Sequence, residues 1–391
     1  MSLRDRLIAR IARDGPISIA DYMSACLHDP DDGYYATRPR LGAAGDFVTA
    51  PLVSQMFGEM LGLWAVEVWV RLGAPPRVRL IELGPGDGTM MSDVLRAAKA
   101  APDFMAACEV WLVETSAPLR ERQAAALAGS GSRWASSLAA LPTDAPVIIL
   151  ANELLDCMPI SQTVYIDGLW VERRVGVDDD GALVFLPPLY GEGDSPPGRA
   201  KRAPEDRLRE RGGVPAAPSP RVSSRYPTPD FDSLRLDPRH KGEGGHLVHE
   251  HSLALTDFAR EAAALVAKTS GAALFIDYGR DAAGYGDTLQ ALRGHKKESP
   301  LAHPGAADLT AHVDFPAFAA AAGDGATAIV SQRDFLRRLG IETRAAALTR
   351  ARPDRADVIA RQLDRLIGHD HMGALFKVVG LRCGDATLPG F

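Results

Sequence analysis

The segment Val78–Thr89, V-R-L-I-E-L-G-P-G-D-G-T, constrains this chain more than any other. Val78, Leu80, Ile81 and Leu83 form a short apolar run, the pattern of a strand buried on both faces of a parallel sheet. The run breaks into Gly84-Pro85-Gly86-Asp87-Gly88. After Thr89, the residues Met90, Met91, Val94 and Leu95 return at helical spacing. The order strand, glycine turn, helix predicts an α/β fold with its ligand at the carboxyl end of this strand, where open α/β sheets bind. Glycines there let a ligand lie close to the backbone, because no Cβ stands in the way.

The chemistry of the turn narrows the ligand. A dinucleotide fingerprint reads G-x-G-x-x-G and seats a pyrophosphate on a helix N-terminus. Here the spacing is G-x-G-x-G, with Glu82 at the strand end and Asp87 inside the turn. Two acids repel a pyrophosphate and attract a cation. They suit S-adenosylmethionine, which carries an ammonium and a sulfonium. The next predicted strand ends on Glu114, 26 residues beyond Gly88. A carboxylate at the tip of the second strand accepts both hydroxyls of a ribose. Gly84, Gly86 and Gly88 are therefore expected along the methionine part of the cofactor, with Glu82 beside them and Glu114 at the ribose. An ordinary tight turn and a nicotinamide site are the alternatives.

Composition bounds the rest. With 391 residues, 46% of them hydrophobic, the chain suffices for one large α/β domain with insertions or for two domains. A net charge of −6 leaves no basic footprint for phosphate backbones, so no nucleic-acid partner is expected. Cys26, Cys108, Cys157 and Cys383 are scattered, with neither metal-ligand spacing nor a disulfide framework. That points to a reducing cytoplasm and to no metal. No apolar run reaches the ~18 residues of a membrane span, and the start at Met1–Arg6 lacks a secretory apolar segment. Oligomeric state is not encoded in these quantities.

Near the N-terminus, Leu3, Leu7, Ile8 and Ile11 share one helical face. Gly15-Pro16 ends that helix, and Ser18 caps a second over Ile19–Leu27. His28–Tyr35, an acidic turn followed by two tyrosines, reads as a surface loop or as part of a substrate lip. Gly42–Pro51 is a small-residue loop feeding a helix over Val53–Val70. Gly45, Asp46 and Thr49 are candidate cofactor contacts there, with a plain linker as the alternative. Strand 110–114, helix 117–128, a short piece at Ser132–Ala135 and strand Val147–Leu150 continue the rhythm of a doubly wound parallel sheet. The last of these runs into Asn152, Glu153 and Asp156, expected at the carboxyl edge of the sheet. A capping Asn152 beside solvated acids is the alternative. Residues 163–186 predict a β-hairpin with a third strand. Gly191–Gly245, rich in Pro, Gly, Arg and Asp, predicts a mobile insertion or lid. A helix is expected within His246–Ser270, then a strand over Ala272–Ile276 ending in Asp277-Tyr278-Gly279-Arg280. An irregular polar region over 287–315 precedes a helix at 316–322, with Asp314 as its N-cap. Ala326–Ser331 and Ala374–Arg382 are the last expected strands, with helices at Asp334–Leu339 and about 342–368 between them.

The stretches Asp29–Tyr35, Gly45–Glu59, Glu82–Thr89, Ala151–Gln162, Asp277–Gly279, Gly286–Gly294 and Asp308–Phe315, with Phe376-Lys377-Val378, resemble the MidA family. This is a bacterial and mitochondrial group of S-adenosylmethionine-dependent methyltransferases linked to assembly of respiratory complex I. The resemblance spans nearly the whole chain. It implies a Rossmann-like class I methyltransferase sheet with added N-terminal helices and a helical and β-hairpin substrate region. The expected division is an N-terminal helical region with a cofactor-covering loop (1–72), a methyltransferase core (73–162 and 246–391), and a hairpin with a flexible insertion (163–245). The implied activity is dimethylation of an arginine in a core complex I subunit, and hence a protein partner.

Paired carboxylates hold a guanidinium by forked hydrogen bonds, and one of them takes up the proton lost on methylation. Glu153 and Asp156 are the leading catalytic candidates, with Asp277 and His312 second; Asn152 joins the cofactor set. His312, a single histidine in a polar loop, also reads as structural. The competing functions are an assembly factor that binds the cofactor without essential catalysis, and a small-molecule methyltransferase. Two departures from the family are visible: Leu52 stands where its T-A-P-E-x-S-Q motif usually carries an acid, and the stretch Gly191–Gly245 is unusually long and degenerate.

Overall fold

The computed structural model describes residues 1–37, 49–187, 247–384 and 387–391. Seven strands build the central sheet: β1 Val78–Leu83, β2 Cys108–Val113, β3 Arg133–Ala135, β4 Val147–Asn152, β5 Ala272–Arg280, β6 Val330–Ser331 and β7 Phe376–Arg382. Their spatial order is β3-β2-β1-β4-β5-β7-β6, and the short strand Val313–Asp314 pairs with the end of β5. Strands β1 to β5 run parallel, as the α/β rhythm predicts. Strand β7 runs antiparallel to both β5 and β6, so the sheet is mixed and not wholly parallel. A strand covered on both faces has the same apolar composition in either direction, so its polarity leaves no mark in the sequence.

All six residues of β1 are buried. Alternate residues feed opposite cores. Leu80, Ile148, Leu150 and Leu274 pack under the helices Gln55–Arg71 and Thr89–Ala98. Ile81, Leu83, Ile149 and Phe275 pack under Leu253–Thr269 and Phe315–Ala322. Helix Gln55–Arg71 meets Thr89–Ala98 at Gly58 and Gly62, where a Cβ would stand 2.6 Å from Asp93 Cβ and 2.5 Å from the Val94 carbonyl oxygen. This close approach fixes the helix that carries the glycine turn at its N-terminus.

Helices Leu3–Asp14 and Ile19–His28 form as predicted, with Ser18 Oγ accepting from the Asp21 amide at 3.0 Å. They share a third core with Val175, Leu183 and Leu309. The hairpin Ser161–Ile166/Leu169–Val177 turns at Asp167-Gly168, both with positive φ (51° and 86°), the geometry of a two-residue hairpin loop. Leu183–Leu186 adds the third strand.

Several expected boundaries move. The helix expected over Val53–Val70 is Ala50–Val53 followed by Gln55–Arg71, because extended Ser54 (φ −162°) interrupts it and caps the Met56 amide. His246–Ser270 contains a strand, Val248–His251, joined to the hairpin, before helix Leu253–Thr269. The polar region 287–315 contains a three-stranded antiparallel sheet of Gln290–Arg293, Lys296–Glu298 and Asp308–Thr310; such short polar strands lack the apolar alternation that announces a strand. The helix expected over 342–368 is Ile341–Ala351 and Ala356–Ile367, divided at Pro353. Within Ala326–Ser331 only Val330–Ser331 is strand. The Gly191–Gly245 insertion lies outside the described residues. No helix among the described residues is long and apolar enough to cross a membrane.

Candidate active site

From β1 the chain steps outward to β2 and β3, then returns to β4 on the other side of β1. A crevice forms at the carboxyl ends where the strand order reverses. A cavity of about 420 Å³ opens there, and Thr49, Glu82, Gly84, Gly86, Glu114, Asn152 and Glu153 all line it. Gly84 and Gly86 take left-handed φ values of 61° and 54°. Gly88 does not line the cavity. Its φ is 87° at the N-cap of Thr89–Ala98, and a Cβ there would meet Ala126 Cβ and Gln123 Cα, each at 3.3 Å. It is a packing glycine, set by the helix Ala117–Ala126 beside it. Gly45 and Asp46 lie outside the described residues.

Glu82 is 2% exposed, and its Oε2 has no hydrogen-bond partner among the described residues. Burial first, and the charge of Asp87 second, push this carboxyl well above the usual range. An ammonium is the kind of group that would satisfy it. Asn152 Oδ1 is likewise without a partner among the described residues. Asp87 spends Oδ1 on the Thr89 amide at 3.0 Å, which starts the helix. Glu114 Oε1 accepts the Thr115 and Ser116 amides, each at 2.8 Å, and this pins the carboxylate. Buried Gln123 joins the two halves: its Nε2 donates to the Gly86 carbonyl at 2.8 Å and to Glu114 Oε2 at 3.3 Å, while Oε1 accepts from Trp134 Nε1 at 2.8 Å. Gln123 belongs to no motif, and nothing in its neighbourhood of the sequence marks it.

The other side of the cavity is acidic. Glu153 takes a left-handed φ of 52°, unusual for a side chain of its size. Its Oε1 accepts the Ala50 amide at 3.0 Å and Asn152 Nδ2 at 2.9 Å. Burial pushes its carboxyl up to about 7, against the Ala50 hydrogen bond. Asn152 therefore braces Glu153 as well as lining the cavity.

The remaining predicted catalytic residues lie elsewhere. Strand β5 continues past Ile276 to Arg280, so Asp277 is a strand residue opposite Lys377 of β7 and not a projecting acid. It is fully buried; Oδ2 accepts the Leu155 and Asp156 amides at 2.8 and 3.2 Å, and Oδ1 accepts the Tyr278 amide at 2.8 Å. It anchors the turn that presents Glu153. Burial, then the charges of Asp156 and Glu153, raise it well above the carboxylate range. Asp156, pushed up to about 6 by burial against the Tyr278 hydroxyl, faces a narrower cleft with His312, Glu250 and Arg280. The His312 amide donates to Thr288 Oγ1 at 2.9 Å and its ring packs edge-on against Tyr278, in keeping with the structural reading. Asp314 caps the next helix through the Ala317 amide at 2.9 Å, as predicted.

The stretch His28–Tyr35 borders the cavity. His28 and Tyr35 line the cavity, and the Tyr35 hydroxyl donates to Asp308 Oδ1 at 2.9 Å. Leu52 lines it too, so the departure from the family motif falls at the site itself.

A crevice that offers carboxylates where a dinucleotide would bring phosphates suits a cationic methyl donor, and a 3-2-1-4-5-7-6 sheet with a reversed seventh strand is the Rossmann-like class I methyltransferase fold. Residues 60–331 match the family model of S-adenosyl-L-methionine-dependent methyltransferases, and the chain belongs to that family. "Protein arginine methyltransferase NDUFAF7, mitochondrial" of Danio rerio is 30% identical over 402 residues, covering 96% of this chain and 86% of the relative. Its Drosophila melanogaster homolog is 31% identical over 418 residues, covering 97% and 84%. A crystal structure of a Burkholderia thailandensis protein bound to S-adenosyl-homocysteine superposes with a TM-score of 0.75 at 27% identity, covering 99% of this chain and 93% of that one.

Proposed function

We propose that this methyltransferase modifies an arginine side chain of a protein, and that the acceptor is a core subunit of respiratory complex I, dimethylated in the cytoplasm. Two animal relatives named as protein arginine methyltransferases, each aligned over nearly all of this chain, support the arginine. The family resemblance of the sequence supports complex I. The observation that carries the reading is Glu153, a braced carboxylate on the cavity wall, away from the ribose end.

The cofactor, when bound, supplies an electrophilic methyl on a sulfonium. Glu82 takes the ammonium, Gly84 and Gly86 give backbone clearance, Glu114 accepts from the ribose hydroxyls, and Thr49 and Asn152 close the contact. Glu153 pairs with the guanidinium by charge-assisted hydrogen bonds and aims one nitrogen at the methyl. Bringing a guanidinium beside it lowers its pKa from about 7, so the carboxylate stays ionised in the complex.

Labelled methyl transfer to purified complex I core subunits, read by mass spectrometry, tests this. The expected product is dimethylarginine. Glu153→Gln should lose about 10²-fold in rate while keeping affinity for S-adenosylhomocysteine. Full activity in that variant, or transfer only to other side chains or small molecules, overturns the reading. Leu52 in place of an acid favours a second one, an assembly factor; subunit binding without any transfer would establish it.

A further inference from the structure

Methylating a guanidinium releases one proton for every methyl gained. Glu153 is occupied as the anion that holds the acceptor, and Asp156 and Asp277 do not reach the cavity wall. Among the described residues, His28 is the only histidine that lines this cavity. We propose that His28 is the proton acceptor of the transfer, a role that rests on the arginine reading above.

Position carries the first part of the argument. Glu114, Thr115 and Ser137 line the cavity from the β2–β3 side of β1, whereas Glu153, Cys157 and Met158 line it from the β4 side. His28 ends the helix Ile19–His28, which packs against strands Ser161–Ile166 and Asp308–Thr310, beyond β4. His28 therefore enters the cavity from the β4 side, the side of Glu153.

The ring is held without being used. It stacks on Tyr35 with centroids 6.0 Å apart and planes 27° apart, and Tyr35 is itself fixed by Asp308. Neither ring nitrogen has a hydrogen-bond partner among the described residues. Tyr35 is its ring neighbour and Asp29, next in the chain, is engaged by Arg6 at 2.7 Å; the other titratable groups lining the cavity are Glu82, Asp87, Glu114, Glu153, Cys157 and Glu261. Desolvation holds the imidazole below its ordinary pKa, so it is neutral near pH 7 and ready to accept. The residue as a whole is still exposed, so water can take the proton onward.

The step balances. The N–CH₃ bond forms as the S–CH₃ bond breaks, and the electron pair of that bond stays on sulfur. The N–H proton passes to a ring nitrogen of His28, and the positive charge lost from sulfonium reappears on imidazolium. Release to solvent resets the residue for a second methyl.

The test is single-turnover transfer to the complex I subunit accepted above, between about pH 5.5 and 8.5, for the full chain and for His28→Gln and His28→Ala. S-adenosylhomocysteine affinity is measured in parallel. The wild-type rate should rise with pH through an inflection below about 6.5. His28→Gln should lose that inflection and about 10²-fold in rate, with affinity for S-adenosylhomocysteine unchanged. Added imidazole should restore rate to His28→Ala. A wild-type rate and profile in His28→Gln, or a loss in His28→Ala that imidazole leaves uncorrected, overturns the proposal while the arginine reading stands. A wild type that transfers to no subunit overturns both.

Discussion

The two ends of the cavity are built on opposite plans. The end proposed for the cofactor centres on one continuous run, Glu82–Thr89, which supplies the buried acid, the left-handed glycines and the helix start, with Glu114 added from the end of β2. The end proposed for the acceptor is lined by His28, Tyr35 and Glu153 and braced from behind by Asp277 and Asp308, residues far apart in the chain. A local turn is shaped by its own backbone. A dispersed site needs buried groups to hold its pieces together, and Asp277 with three amides is the main one here. Cofactor capture should therefore depend on backbone clearance, and acceptor chemistry on charge.

Gly86→Val is the strongest way to break this comparison. A β-branched residue at a φ of 54° is strained, and its side chain enters the cavity. S-adenosylhomocysteine affinity should fall by roughly 10²-fold or more, with a cooperative thermal transition kept. Unchanged affinity by calorimetry would remove the cofactor from this turn.

Asp277→Ala should do the reverse. Two buried amides and one part-buried amide lose their acceptor, which costs about 2–4 kcal/mol in urea unfolding, while cofactor affinity changes far less than in Gly86→Val. An equal loss of affinity would show that the two ends act as one.

The smallest effect is the sharpest probe of charge. Glu153 and Asp156, raised to about 7 and about 6, favour the protonated form in the fold. Their stabilisation is complete below ordinary carboxylate pKa values and is lost as pH rises through the raised ones. Without ligand, the thermal midpoint should fall by about 2–5 °C between about pH 5 and 8, and Glu153→Gln should flatten the slope. A flat wild-type profile would deny the acceptor end its charge tuning.

How much of this was legible follows from the same contrast. Glu82, Gly84, Gly86 and Glu114, expected from the sequence at the cofactor, share one cavity, because each sits at a strand end that apolar runs and glycines announce. Gly88 looked equivalent to its neighbours but serves the helix Ala117–Ala126, a contact that no local pattern reports. Asp277 and Glu153 both follow apolar strands. One is sealed between β4 and β7, and the other reaches the cavity, because β5 continues beyond its apolar core while β4 stops. Gln123 had no signal at all. His28 had only the adjacent tyrosines.

The sequence by itself determined the parallel strands β1 to β5 and pointed to a cationic cofactor at their carboxyl ends, since strand burial, helical periodicity and an acid-bearing glycine turn act over a dozen residues. Only the tertiary structure decided which carboxylates line the cavity, which ones hold the frame, and that His28 lies on the same wall. Those assignments depend on burial and on hydrogen bonds between segments that meet only when the chain folds.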